Sequence, residues 1–180
     1  MEEILLHTCC APCSAAIIEW MLNNNIRPTL FYYNPNIFPQ EEYRIRKAEC
    51  SRYAQSKGIE IIDGDYNHES WLQSIAGLEN EPERGSRCLK CFRMRLWTTA
   101  CLASNYGFER FATTLASSRW KNLTQIAEAG NWAASQFQPV TFWDRNWRKD
   151  GLSERRLILL KENDFYNQQY CGCEFSIRKD

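Results

Sequence analysis

The chain has 180 residues, of which 44% are apolar and 24% charged, as is typical of one globular domain with a hydrophobic core. Its 22 Lys and Arg balance 22 Asp and Glu, which excludes binding to nucleic acid through an overall positive charge but not through a local basic surface. Nine cysteines, an odd number, exclude complete internal disulfide pairing.

The amino-terminal segment, Met-Glu-Glu-Ile-Leu-Leu-His at residues 1–7, is too short and too acidic for a secretory signal. No run approaches the roughly 20 apolar residues of a membrane-spanning helix. We therefore expect a cytoplasmic protein with no membrane partner. In that compartment thiols stay reduced, and clustered cysteines bind metals or carry out redox chemistry.

Strands and helices alternate in the first third of the sequence. Apolar runs predict strands at residues 4–7, 28–33 and 59–62, and helical periodicity predicts helices after Pro12 and at 40–57. Arg44, Arg46 and Lys47 are interpreted as a solvated face of that second helix. Such alternation indicates a parallel sheet with helices on its faces.

Helical patterns dominate residues 66–106, with a short helix at 68–76, a polar loop at 79–85 and a long helix at 86–105. A fourth strand at 108–114, a helix at 121–135, a fifth strand at 140–142 and a helix at 152–163 follow. We predict a single α/β domain over residues 1–180, with a helical insertion at about 66–106 and a carboxy-terminal Cys-Gly-Cys tail.

Seven of the nine cysteines fall into three tight groups. Cys50 and Cys101 stand alone in predicted helices and are interpreted as small buried apolar residues. The grouped residues are Cys9, Cys10 and Cys13; Cys88 and Cys91; and Cys171 and Cys173.

The first two groups have the spacing of metal ligands. Cys88 and Cys91 open a helix, where positions i and i+3 face the same side. The first group follows the first strand, at the carboxyl edge where parallel sheets bind ligands, and it also opens a helix. Cys9 and Cys10 can share a metal only if the chain turns between the strand and the helix. Zinc, an iron–sulfur cluster and dithiol chemistry all remain open at this point.

The Cys171-Gly172-Cys173 motif differs from the other two groups. A disulfide within it closes a very small, strained ring, and strained disulfides are labile or catalytic. We interpret this motif as a dithiol that stores two electrons. The alternative is that both residues are further metal ligands.

Together these motifs resemble the QueH-type epoxyqueuosine reductases over nearly the whole chain. The resemblance rests on Leu-Leu-His-Thr-Cys-Cys-Ala-Pro-Cys-Ser at 5–14, Phe-Tyr-Tyr-Asn-Pro-Asn-Ile-Phe-Pro at 31–39, Arg-Cys-Leu-Lys-Cys-Phe at 87–92, Phe-Ala-Thr-Thr-Leu at 111–115 and Tyr-Cys-Gly-Cys-Glu-Phe-Ser at 170–176. It implies reduction of epoxyqueuosine to queuosine at the wobble position of tRNA anticodons. It also implies a Rossmann-like parallel sheet of the nucleotide-binding PP-loop or HUP type.

The resemblance further implies site residues and partners. Cys9, Cys10, Cys88 and Cys91 would hold a [4Fe-4S] cluster, without cobalamin, and Cys13 would bind a second, adjacent iron. The catalytic redox pair would be Cys171 and Cys173. The partners would be the anticodon stem-loop of tRNA and an electron donor that the sequence does not identify.

Two stretches combine tryptophan with cations, as single-stranded RNA contacts require. Residues 119–121 are Arg-Trp-Lys, and residues 143–149 are Trp-Asp-Arg-Asn-Trp-Arg-Lys, which is too polar a stretch for a core. Two alternative functions remain at this stage. One is a zinc-stabilised RNA-binding module, and the other is a thioredoxin-like dithiol oxidoreductase that uses Cys10 and Cys13.

Overall fold

A computed structural model describes residues 1–178 and contains a sheet in which every pair of neighbouring strands is parallel. The prediction of an α/β fold with a Rossmann-like parallel sheet is confirmed. The order across the sheet is β3-β2-β1-β4-β5, so the direction of the strand order reverses at β1. Parallel sheets of this kind bind ligands at the carboxyl ends of the strands beside such a reversal. The strands are β1 (Glu2–Thr8), β2 (Ile26–Tyr32), β3 (Ile61–Asp63), β4 (Arg110–Thr113) and β5 (Thr141–Phe142).

Six α-helices lie among these strands in residues 1–178, and two short 3₁₀ turns lie at Thr114–Ser117 and Glu174–Ser176. Helices α1, α2 and α6 pack together, and α4 packs with α3 and α5. None of them is long and apolar enough to cross a membrane. The helices are α1 (Ala11–Asn23), α2 (Gln40–Ser56), α3 (His68–Ser74), α4 (Ser86–Tyr106), α5 (Leu123–Ser135) and α6 (Leu152–Glu162).

The elements agree with the predicted ones except at strand ends. The strand β4 is shorter than predicted because Gly107 ends α4 in a left-handed conformation and the Phe108 amide still bonds to the Ala103 carbonyl. Similarly, the Ile59 amide bonds to the Ala54 carbonyl at the end of α2, so β3 begins only at Ile61. Helix capping therefore takes residues that periodicity alone assigns to strands.

His7 joins the carboxyl ends of the three central strands. Its Nε2 donates to the Tyr33 carbonyl after β2 (2.9 Å), and its Nδ1 accepts from the Thr113 hydroxyl at the end of β4 (2.8 Å). Burial, reinforced by the nearby Arg95 guanidinium, lowers the pKa of His7 to about 3, so the ring is neutral. Both nitrogens are occupied by protein groups, which leaves neither for a metal.

We expect His7→Leu to lower the free energy of unfolding by roughly 2–4 kcal/mol, since it leaves the buried Tyr33 carbonyl without a donor and the O–H of Thr113 without an acceptor. Urea denaturation monitored by circular dichroism measures this loss. A loss below about 0.5 kcal/mol, the level of an ordinary surface substitution, would contradict the linking role.

Candidate metal and thiol centre at the carboxyl edge

Cys9, Cys10 and Cys13 form one buried group of sulfurs at the end of β1. Their Sγ atoms all lie within 4.8 Å of one another, and those of Cys9 and Cys10 are 3.7 Å apart. Cys10 caps α1 with an extended backbone, and Pro12 occupies the first turn of that helix. The chain therefore turns between strand and helix, which is the condition for neighbouring cysteines to face one site. We call these three residues the thiol trio.

Hydrogen bonds within the thiol trio favour a negative charge on Cys9. The thiols of Cys10 and Cys13 donate to Cys9 and hold its pKa well below its usual range, despite burial. Cys10 accepts from Cys13, but it also donates to Cys9 and is buried, and its pKa rises to about 12. The pKa of Cys13 is likewise raised by its bonds to Cys10 and Cys9 and by burial. A metal that displaces these protons finds three preorganised sulfur ligands.

A second group of cysteines, Cys88, Cys91, Cys171 and Cys173, lies at the same carboxyl edge of the sheet. Cys88 and Cys91 occupy the first turns of α4, and Cys91 and Cys173 belong to one buried apolar cluster. A narrow cavity of about 20 Å³ is lined by Cys88, Cys171 and Cys173.

Only some of the predicted cluster ligands lie at the spacing of donors to a single metal ion. Within residues 1–178, the thiol trio is the only set of three or more potential ligands whose donor atoms lie within 4.8 Å of one another. Cys13, predicted to bind a separate iron, lies with Cys9 and Cys10, whereas Cys88 and Cys91 lie outside this radius. A link to the trio nevertheless exists, because Arg95 on α4 bonds to Asn34 Oδ1 (2.5 Å), and Asn34 bonds to the Thr8 carbonyl (2.9 Å).

Lys121 lies between the two cysteine groups. Its side chain is buried and lines the narrow cavity with Cys88 and Cys171. Burial alone would lower the pKa of this lysine, but the thiols of Cys171, Cys9 and Cys13 raise it above the usual range. The ammonium group is therefore placed to offset negative charge on either cysteine group.

Two buried arginines add positive charge beside the second cysteine group. Arg87 donates to the Glu79 carbonyl (3.0 Å), and its guanidinium lies 4.9 Å from the Phe175 ring. Arg95 approaches Cys91 Sγ at 3.9 Å. Within residues 1–178, neither arginine nor Lys121 has a carboxylate partner. Since unpaired buried cations are costly, this arrangement fits a bound group of negative charge held by thiolates.

The segment that carries Cys171 and Cys173 is fastened to α2. Buried Arg46 pairs with Glu42 at 2.9 Å and donates to the Cys171 carbonyl at 3.0 Å. Gly172 has φ +145°, and a Cβ there would meet Arg46 at 3.3 Å, so glycine is required between the two cysteines. The interpretation of Arg46 as part of a solvated face is wrong, because the tail covers this arginine.

The two tail cysteines differ in environment. Cys171 is partly exposed, while Cys173 is buried and its thiol donates to Ser176 Oγ (3.6 Å). Burial raises the pKa of Cys173 to about 11, which keeps this thiol protonated near neutral pH. All nine cysteines are free thiols in the structure.

His68 offers no open nitrogen for a metal either. Its Nδ1 donates to the Pro35 carbonyl (2.7 Å), and its Nε2 bonds to Glu174 Oε1 (3.0 Å). Because His7 is also fully bonded, the donors at this edge are thiols. This donor set is typical of iron–sulfur clusters and of all-cysteine zinc sites.

The tryptophans of residues 143–149 pack against the core, Trp147 buried and Trp143 partly exposed. Trp147 is 1% exposed and packs edge-on against Trp20, and the Arg145 guanidinium lies 3.9 Å from the Trp20 ring. The prediction that this stretch is too polar for a core is wrong for Trp147, because the Arg145 guanidinium packs over the aromatic rings of Trp20 and Trp147. Trp120, in contrast, stays partly exposed beside the cysteines.

Comparisons with known proteins identify one family. The family model described as "Epoxyqueuosine reductase QueH" matches residues 4–179. A relative of that name from Acinetobacter baylyi is 46% identical over 177 residues, covering 98% of this chain and 81% of its own. The one from Haemophilus influenzae is 47% identical over 177 residues, covering 98% and 72%. The one from Thermotoga maritima is 33% identical over 180 residues, covering 98% and 91%.

Proposed function

The chain belongs to the epoxyqueuosine reductase QueH family, and we propose on that premise that it reduces the epoxide of epoxyqueuosine in tRNA to give queuosine. The nucleoside that reacts is the wobble nucleoside of the anticodon, and the reaction takes place in the cytoplasm. The observation that carries the proposal is the thiol trio, set beside a second cysteine group and three buried cations that have no carboxylate partner within residues 1–178.

The cofactor is a [4Fe-4S] cluster held by Cys9, Cys10, Cys88 and Cys91, with Cys13 available to a second iron. Supporting this assignment are the all-thiol donor set, the positive charge of Lys121 and the connection of α4 to the end of β1. When bound, such a cluster supplies single electrons, and an iron with an open position supplies a Lewis acid for the epoxide oxygen.

Cys171 and Cys173 are the redox pair in this proposal. Conversion of the epoxide to an alkene takes up two electrons and two protons and releases the oxygen as water. Oxidation of two thiols to one disulfide releases two electrons and two protons, so the two half-reactions balance. An external electron donor then reduces the disulfide.

The chain's own residues arrange these groups. The Arg46 bond to the Cys171 carbonyl holds the tail beside α2, and Gly172 permits the backbone to turn between the two cysteines. Burial of Cys9 and Cys10 shields these two sulfurs from bulk water. Recognition of the anticodon loop requires splayed bases and cationic contacts, for which the partly exposed loop at residues 118–120 is available.

Metal analysis tests the cofactor directly. We expect protein purified without oxygen to be brown and to contain iron and acid-labile sulfide. A colourless zinc protein would instead support a zinc-stabilised RNA-binding module. A metal-free protein with a reactive Cys10 and Cys13 pair would support a dithiol oxidoreductase, which their short separation permits.

The redox pair is tested by Cys171→Ser and Cys173→Ser in a single-turnover assay. Pre-reduced protein, freed of reductant, is mixed with epoxyqueuosine-containing tRNA, and queuosine is quantified by mass spectrometry. We expect up to one equivalent of product from the unaltered protein and only background from either variant, because the stored electron pair is lost. Cys101→Ser, a partly buried thiol far along α4, is the matched control and should retain full yield. Full turnover by Cys171→Ser or Cys173→Ser with a chemical reductant would argue against the pair.

A further inference from the structure

A larger cavity opens beside the thiol trio. It measures about 220 Å³ and is lined in part by Cys13, the partly exposed member of the trio. Its walls come from the start of α1, the loop at residues 118–120, α6 and the segment after α6. Since drug-sized pockets measure roughly 300–1,000 Å³, this cavity suits one nucleobase and not a length of loop.

Trp120 lines this cavity and also the narrow cavity of Cys88 and Cys171. The loop that carries it is fixed by Arg84, which donates to the Trp120 carbonyl (3.3 Å) and to the Arg119 carbonyl (2.7 Å). Among residues 1–178, no aromatic ring stacks on Trp120. The exposed Arg119 guanidinium lies 5.7 Å from the centre of the Trp120 ring, and the indole is partly exposed between the two cavities.

Two polar groups on the cavity wall lack partners. Gln168 Nε2 is a buried donor without a hydrogen-bond partner among the described residues. Arg156 is half-buried and makes no ion pair or hydrogen bond within residues 1–178, whereas the adjacent Arg155 binds Glu19 at 2.7 and 2.9 Å. An unsatisfied buried donor points to an acceptor that is supplied by a ligand.

We propose that this cavity is the subsite for the flipped-out wobble nucleoside, an inference that rests on the proposed function. The base stacks on Trp120, the Gln168 amide donates to a base acceptor, and Arg156 contacts a phosphate oxygen of the RNA backbone. Stacking, an amide contact and a guanidinium are the groups by which proteins bind splayed single-stranded bases. The cyclopentane substituent of the base then faces Cys13 at the thiol trio.

The test uses the metal-loaded enzyme and an anticodon stem-loop RNA that carries epoxyqueuosine. Since stacking of one base on an aromatic ring is worth about 1–3 kcal/mol, we expect Trp120→Ala to weaken binding about 10- to 100-fold, with iron content unchanged. Trp120→Phe keeps an aromatic face and should stay within about threefold of the unaltered protein. Gln168→Leu removes only the amide donor and should cost up to about tenfold. Fluorescence anisotropy measures the dissociation constants, and single-turnover rates at saturating RNA separate a loss of binding from a loss of chemistry.

Tyr106→Ala is the control, because this exposed ring lies at the opposite edge of the sheet, near Glu2 and Glu109. If the unaltered protein binds and converts the RNA and Trp120→Ala binds it with the same affinity, the subsite alone is overturned. Failure of the unaltered enzyme itself to bind or convert the RNA would overturn the proposed function and the subsite together.

Discussion

Replacing Cys9 or Cys10 by alanine removes a ligand from the thiol trio, and we expect it to abolish both iron binding and epoxyqueuosine conversion. These sulfurs are buried and 3.7 Å apart, so either substitution leaves a gap in the buried donor set. Loss of a supporting residue around a metal typically costs about 10- to 100-fold, and loss of a direct ligand should exceed about 100-fold. Iron analysis and the mass-spectrometric conversion assay measure the two effects separately.

Cys101→Ala is the matched control for these variants. It removes a partly buried thiol from the same protein, at a position remote from both cysteine groups, and should retain iron and activity. If Cys9→Ala or Cys10→Ala contains as much iron as the control, the thiol trio does not bind the metal. Circular dichroism separates loss of iron from loss of fold.

Lys121→Met removes a positive charge from between the two cysteine groups, and we expect it to make the reduction potential of the proposed cluster more negative. The added electron is then less well compensated, because the ammonium group that faces Cys9, Cys13 and Cys171 is gone. A unit charge at this range is worth on the order of 1–4 kcal/mol, which corresponds to a shift on the order of 50–170 mV for one electron.

Redox titration followed by electron paramagnetic resonance measures this shift. Lys121→Arg keeps the charge and should restore most of the potential, which a purely structural role for the side chain would not require. Equal potentials in Lys121→Met and the unaltered protein would show that this lysine does not act on the cluster.

Local patterns in the sequence predict much of the fold. The continuous apolar run Ile4–Leu6 is fully buried in β1, as a central strand of a parallel sheet requires. The helix start at Pro12 and the long helix after Gly85 also lie where their sequence signals indicate. Each of these features depends on neighbours within a few residues along the chain.

The rest of the site depends on contacts between distant residues, which periodicity does not reveal. Arg46 reads as a solvated cation on its helix, yet it is buried by a tail 125 residues further along the chain. Trp147 lies in a charged stretch, yet the guanidinium of Arg145 packs over the rings around it and allows it to be buried. Lys121 likewise lies near cysteines of three separate segments, at residues 9–13, 88 and 171.

The spacing of the cysteines predicts ligands but not their grouping. The motif at residues 9–13 brings three sulfurs together because the strand ends and the helix begins within that motif. The pair Cys88 and Cys91 is placed by α4, whose approach to β1 depends on the link from Arg95 through Asn34. Sequence therefore predicts which residues carry the chemistry, whereas the tertiary structure decides which of them lie together.

The most direct test of the account is a conversion assay with epoxyqueuosine-containing tRNA. The protein is loaded with iron and sulfide in the absence of oxygen, and mass spectrometry of the tRNA nucleosides measures the product. We predict that epoxyqueuosine disappears and queuosine accumulates with the iron–sulfur form and a reductant, but not with the zinc-loaded or metal-free form. Equal conversion by the zinc-loaded form, or no conversion by the iron–sulfur form, would contradict it.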